Sequence, residues 1–209
     1  MRTGGRSERV VASVLEAARA ELASVGYVAL RLEDVAARAG VAKTTIYRRW
    51  ATKAELVHAA LHEAGHYDDP LPDTGSLRKD MLVMLEHAMD LVSTPEGRAV
   101  ARMVTIEGSN PEVDALCRSL KEESRRHRAG LVVRAQERGL IPDGVDAPLV
   151  TDSVFTLVLS RLVRFGERVD RPTCERLVDL VVTGAENGGG QRPRPTRASA
   201  HPKRSKTRR

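Results

Sequence analysis

Residues 32–56, LEDVAARAGVAKTTIYRRWATKAEL, constrain this chain more than any other stretch, because they specify two short helices joined at a glycine. Leu32, Val35, Ala36 and Ala39 recur at helical spacing on one face. Gly40 suits the left-handed residue that stops a helix, and Val41 then turns inward. A second helix over 43–49 presents Lys43, Thr44, Thr45, Tyr47, Arg48 and Arg49 to solvent and keeps Ile46 for the core. An outer face of cations, hydroxyls and a phenol buries little. It suits a DNA major groove, where arginine and lysine reach guanine edges or phosphates and hydroxyls reach phosphates. The pattern predicts a helix-turn-helix whose partner is double-stranded DNA.

The charge distribution agrees with that partner. Residues 1–66 carry a net +3, residues 67–186 a net −5 and residues 187–209 a net +8. A basic end bearing the helix-turn-helix fits a polyanion, and the acidic middle should stay away from it. From Asn187 the chain has no Leu, Ile, Val, Phe or acidic residue, so it is expected to be a disordered basic tail. No run of 18 apolar residues appears, and no apolar stretch follows the N-terminal arginines, so neither a membrane span nor a signal peptide is expected. The two cysteines, Cys117 and Cys174, lack metal spacing and read as reduced, packed thiols of a cytoplasmic protein.

The remaining pattern is helical throughout. A first helix is expected over 6–25, with Val10, Val14, Leu15, Ala18 and Leu22 inward and Gly26 past its end. Thr52 reads as the N-cap of a fourth helix carrying Leu56, Val57, Ala60 and Leu61. Pro70, Pro72 and Gly75 mark a linker. Helices then follow over 76–93, from Thr94-Pro95, from Asn110-Pro111 to Arg138, from Asp146-Ala147-Pro148 to Phe165, and from Arg171-Pro172 to Glu186. The expected fold is all-α: a DNA-binding unit over 1–66, a helical unit over 67–186 and the tail over 187–209. The last two helices are apolar over more than one stripe, which favours a self-association face and hence a homodimer.

Gly26-Tyr27, Asp34-Val35-Ala36, Ala39-Gly40-Val41, Thr45-Ile46-Tyr47, Trp50, and Lys53 with Leu56 together resemble the TetR/AcrR family of bacterial transcriptional regulators. Two departures stand out. Leu30-Arg31 and Ala42 occupy places where the family usually has serine or threonine, and losing an N-cap hydroxyl costs about 1 kcal/mol of local helix stability. Arg31 would replace the family's hydroxyl–phosphate contact with a charged one. The resemblance implies a homodimer on a near-palindromic operator, acting as a repressor that a small apolar effector releases. Lys43 and Thr44 would reach base edges or nearby phosphates, Thr45, Tyr47 and Lys53 the phosphate backbone, and Arg48 and Arg49 either. Ile46 and Trp50 would hold the recognition helix. The family also implies an effector cavity among the central helices, for which Met84, His87, Arg102, Met103, Ile106 and Glu107 are the candidates.

Competing chemistry centres on His62-Glu63-Ala64-Gly65-His66, which matches H-E-x-x-H, the zinc-hydrolase signature. A glycine inside the match and Pro70 shortly after it weaken that helical turn. With His58 the histidines repeat every four residues, so a metal-sensing face is a second alternative, and a purely architectural DNA-binding protein a third. No phosphate-binding glycine loop, G-x-S-x-G elbow or CxxC pair occurs, so no enzyme activity, cofactor or resident metal is expected. The mixed charges at 122–128 read as a wet helix face or as the cap of an effector pocket.

Overall fold

The computed structural model describes residues 4–106 and 111–191, with the backbone alone at residues 4, 6, 105 and 106. Nine α-helices are formed among these residues: α1 Gly4–Ala29, α2 Leu32–Ala39, α3 Lys43–Tyr47, α4 Lys53–Ala64, α5 Leu77–Leu91, α6 Pro95–Ile106, α7 Pro111–Glu137, α8 Ala147–Leu159 and α9 Arg171–Glu186. They form no strand; a lone bridge pairs Val145 with Gln191.

Short-range capping explains most of the helix starts. Thr52 accepts the Glu55 amide at 3.1 Å, while the Glu55 carboxylate reaches back to the Ala51 amide at 2.8 Å, so two orphan donors are satisfied together. Asp146 and Asp170 accept the amides of Leu149 and Thr173, each followed by proline in the first turn. Thr94 accepts the Gly97 amide at 3.0 Å ahead of α6.

Four boundaries depart from the sequence expectation, the first at α3, which ends at Tyr47 and not at Arg49. Gly26 (φ 75°, ψ 169°) breaks α1 without ending it, and a further helical turn runs to Ala29. The helix opened by Asp146 ends at Leu159 and passes into a π-helical turn, Ser160–Arg164, before Phe165. Residues 187–191, which the sequence assigns to the tail, reach back to the start of α8, where the Asp146 amide bonds the Gly190 carbonyl at 3.0 Å. The remainder of the tail, 192–209, lies outside the described residues.

The helices enclose two apolar cores. The first joins α1, α2, Ile46 of α3 and the inner face of α4 to Met103 of α6 and to Val113, Leu116, Cys117 and Leu120 of α7. The second joins α5, the far half of α7, α8 and α9. Helix α7 has 27 residues, about 40 Å at 1.5 Å per residue, and contributes to both. Both cysteines are buried free thiols, as expected.

Candidate nucleic-acid interface

Helices α2 and α3 meet through a Schellman-type stop. Gly40 adopts φ 66°, ψ 32°, and the Val41 amide bonds the Ala36 carbonyl at 3.0 Å. A β-carbon at Gly40 would be strained by that φ, which explains the glycine. Neither Arg31 nor Ala42 supplies a side-chain cap to its helix. The recognition helix α3 therefore owes little to local bonding: it has five residues, too few to persist alone, and Ile46 is its buried side chain at 0% exposure. Trp50 packs half-buried on the same core.

The rest of α3 faces outward. Lys43, Thr44, Tyr47, Arg48 and Arg49 are exposed and Thr45 is half-buried. Lys43 pairs with Glu33 of α2, and its ammonium lies 5.5 Å from the centre of the Tyr47 ring. Arg31 approaches the other oxygen of the same carboxylate at 3.8 Å. The bond to Lys43 holds the Glu33 carboxyl below the ordinary carboxylate range and raises Lys43 in return. Arg49 donates to Ser7 Oγ near the start of α1. Lys53 donates to the carbonyls of Tyr27 at 2.9 Å and Val28 at 3.3 Å, with its ammonium 4.4 Å from the Tyr27 ring centre. The segment after Gly26 is thereby anchored to the start of α4. Sequence reasoning missed both Glu33 and this second task of Lys53, since neither pairing has a spacing signature.

The structure does not gather the effector candidates into one cavity. Met103 is buried in the first core and Met84 packs against the second, while His87 and Arg102 are exposed. The Ile106 side chain and Glu107 lie outside the described residues. A cleft near Gly75, Asp80, Leu131 and Arg134 is lined by none of them. The family resemblance implies one cavity for these residues, but α5 and α6 turn their apolar faces to different cores.

The histidine alternatives are corrected by the end of α4. The helix stops at Ala64, and His66 adopts φ 54°, turning its ring to Asp69 at 2.8 Å and away from His58 and His62. Glu63 pairs with Arg19 of α1. The H-E-x-x-H match thus lacks the helical turn that would bring its two histidines together, and no cluster suited to a metal ion is found among the described residues. His58 and His62 instead address Glu123 of α7, at 2.9 and 3.6 Å, with Ser119 donating to the same carboxylate at 2.9 Å. The charge run 122–128 is accordingly not a uniformly wet face: Arg128 lies mostly buried, 5.0 Å from the Phe155 ring centre and 3.5 Å from Asp152. These contacts join α4 to α7 and α7 to α8.

Comparison with known proteins agrees with this geometry. Residues 14–60 match the family model for bacterial regulatory proteins of the tetR family, and residues 71–181 that for a tetracyclin repressor-like C-terminal domain. The DNA-binding transcriptional repressor TetR of Mycobacteroides abscessus is 34% identical over 183 residues, covering 85% of this chain and 94% of that protein. The crystal structure of the TetR family transcription regulator SCO0332 superposes with a TM-score of 0.65 at 29% identity, over 84% of this chain and 97% of that one. FadR from Bacillus subtilis, crystallised in complex with stearoyl-CoA, shares the fold at a TM-score of 0.60 and 17% identity, over 85% and 98% of the two chains. With a glycine-stopped helix-turn-helix presenting its cations and hydroxyls outward, and with both halves matched, this chain belongs to the TetR family of DNA-binding transcriptional regulators.

Proposed function

We propose that the chain represses transcription as a homodimer bound to a near-palindromic operator in the bacterial cytoplasm, and that a small apolar effector releases it. The observation that carries this reading is the division of α3, with Ile46 buried and six hydrogen-bonding side chains left on its outer face and C-terminal end. Lys43 and Thr44 would approach base edges or adjacent phosphates; Thr45 and Tyr47 would set register on the backbone, with Arg48 and Arg49 beside them. Lys53 has three N–H donors, two of them already given to Tyr27 and Val28, so the third remains for a phosphate.

Dimerisation is supported by the apolar side chains that α8 and α9 leave outside their own core. Leu149, Leu157 and Leu180 are 51%, 47% and 72% exposed. Exposed leucines on these two helices suit an interaction surface, and two-fold symmetry matches an operator with two half-sites. We read residues 1–66 as the DNA-binding unit and 67–186 as the effector and dimerisation unit, with the basic tail after them. The stearoyl-CoA of the FadR complex, with its apolar acyl chain, supports an effector with an apolar part here. The route would run through α7, which shares one core with the DNA-binding helices and the other with α8 and α9, and through the imidazoles of α4 on Glu123. A tilt of α4 would move recognition helices that must match half-sites about 34–36 Å apart.

Anisotropy titration on the DNA upstream of its own gene and on a scrambled duplex tests the reading. Cognate affinity should exceed scrambled affinity by at least about 1,000-fold. Tyr47→Phe should weaken both duplexes alike. Equal affinity for both duplexes in the unsubstituted protein would reduce the chain to a non-specific binder.

A further inference from the structure

Glu33 is an acidic group on the surface that must meet a polyanion. It sits in the first turn of α2, 38% exposed at its side chain, and one oxygen holds Lys43, the first residue of the recognition helix. The other oxygen faces Arg31 at 3.8 Å. One carboxylate thus engages two cations on the same surface, and Lys43, 50% exposed, is within reach of solvent while paired. We propose that Glu33 is a specificity-determining residue that suppresses binding to non-cognate DNA by occupying Lys43 until a base edge or a correctly placed phosphate replaces it. The proposal rests on the reading of Lys43 as a DNA contact.

The physical reason lies in how the two kinds of binding differ. Non-specific affinity comes almost wholly from cations that displace counterions from phosphates. A lysine already neutralised by a carboxylate displaces none, and the carboxylate adds repulsion toward the nearest phosphates. Any sequence incurs that cost. Only a site offering Lys43 a base acceptor, such as the O6 and N7 of guanine, or a phosphate in register compensates for the broken pair. Discrimination of this type works by penalising the wrong partner. Glu33 and Lys43 belong to different helices of the motif, so the exchange needs only side-chain rotation.

The experiment uses the full-length protein with Glu33→Gln, Lys43→Ala and the double substitution. Glutamine keeps the side-chain shape at this half-buried position and removes the charge. Affinities are measured across a salt series on a duplex found by footprinting upstream of its own gene, and on a scrambled duplex of equal composition. For Glu33→Gln, scrambled affinity should rise about threefold to tenfold, with a smaller gain on the cognate duplex. The slope of log affinity against log salt on scrambled DNA should steepen by about 0.9 per protomer. In the Lys43→Ala background most of the Glu33→Gln gain in slope should vanish, leaving only what Arg31 contributes. Weaker binding of Glu33→Gln to both duplexes would overturn the proposal and make Glu33 a residue that merely orients Lys43, and unchanged slopes would overturn it too. If Lys43→Ala alone leaves cognate affinity intact, the underlying reading of Lys43 fails; if Lys43→Ala weakens binding while Glu33→Gln is inert, only the role of Glu33 fails.

Discussion

Ile46→Ala should detach the recognition helix more than it unfolds the protein. Ile46 is fully buried and is the side chain through which α3 enters the first core. Truncation removes three carbons, worth about 2.4 kcal/mol at about 0.8 kcal/mol per buried methylene. The cavity left behind raises the cost to about 3–4 kcal/mol, inside the range for isoleucine-to-alanine changes in cores. With a urea m-value of about 2 kcal/mol/M, the midpoint reported by Trp50 fluorescence should fall by about 1.5–2 M at fixed protein concentration, and the midpoint for the whole chain by less. Trp50 is the sole tryptophan and packs on the same core, so its emission reports this corner while far-UV circular dichroism reports the whole chain. The fluorescence transition should therefore precede the dichroism transition in the variant. Operator affinity should fall as well, because the ordered helix becomes a minority state and apparent affinity scales with its population. Ile46→Val, losing one carbon, should cost only about 1 kcal/mol and leave binding nearly intact. A midpoint shift under about 0.3 M for Ile46→Ala, with unaltered Trp50 emission, would refute the claim that this one side chain anchors the helix.

Other outcomes follow from particular contacts. Leu157→Asp and Leu180→Asp should give folded monomers by light scattering, since both side chains lie outside the chain's own core, whereas Val158→Asp, at 1% exposure, should unfold it; dimers persisting in both leucine variants would move the interface elsewhere. The bidentate bond from Arg138 draws the Asp73 carboxyl down from 3.8 to about 2, so the pair adds stability that is present above pH 4 and lost as pH falls toward 2. Urea midpoints of wild type and Asp73→Asn should accordingly differ at pH 5 and converge at acid pH, and a constant gap would mean the pair is inert. Truncation after Gln191, which spares the Gly190 contact to α8, removes eight cations and should flatten the salt dependence of DNA affinity without altering operator choice; equal salt slopes would exclude tail–phosphate contact.

Much of the fold was legible because helices are local objects. Asp146 before Ala147-Pro148, Asp170 before Arg171-Pro172 and Thr52 three residues before Glu55 set their helix starts through bonds spanning three or four residues. Ile46 inside α3 and Gly40 at its left-handed turn were readable for the same reason, as periodicity and φ preference act over one helical turn. What a helix face packs against is set elsewhere in the chain. The family resemblance put Met84 and Met103 in one pocket and spacing put His58, His62 and His66 on one face, while neither showed which apolar side chains of α8 face outward. Tertiary packing instead sent the two methionines to separate cores, turned His66 out after Ala64, and buried Val158 while leaving Leu157 outside. The same holds for the groups that finish the DNA-facing surface. Glu33 meets Lys43, and Lys53 meets the Tyr27 carbonyl 26 positions away, only because α1, α2 and α4 close around Val35, Leu56 and Val57. Charge and periodicity along the chain determined that these residues face water; the packing of three helices decided which of them face each other.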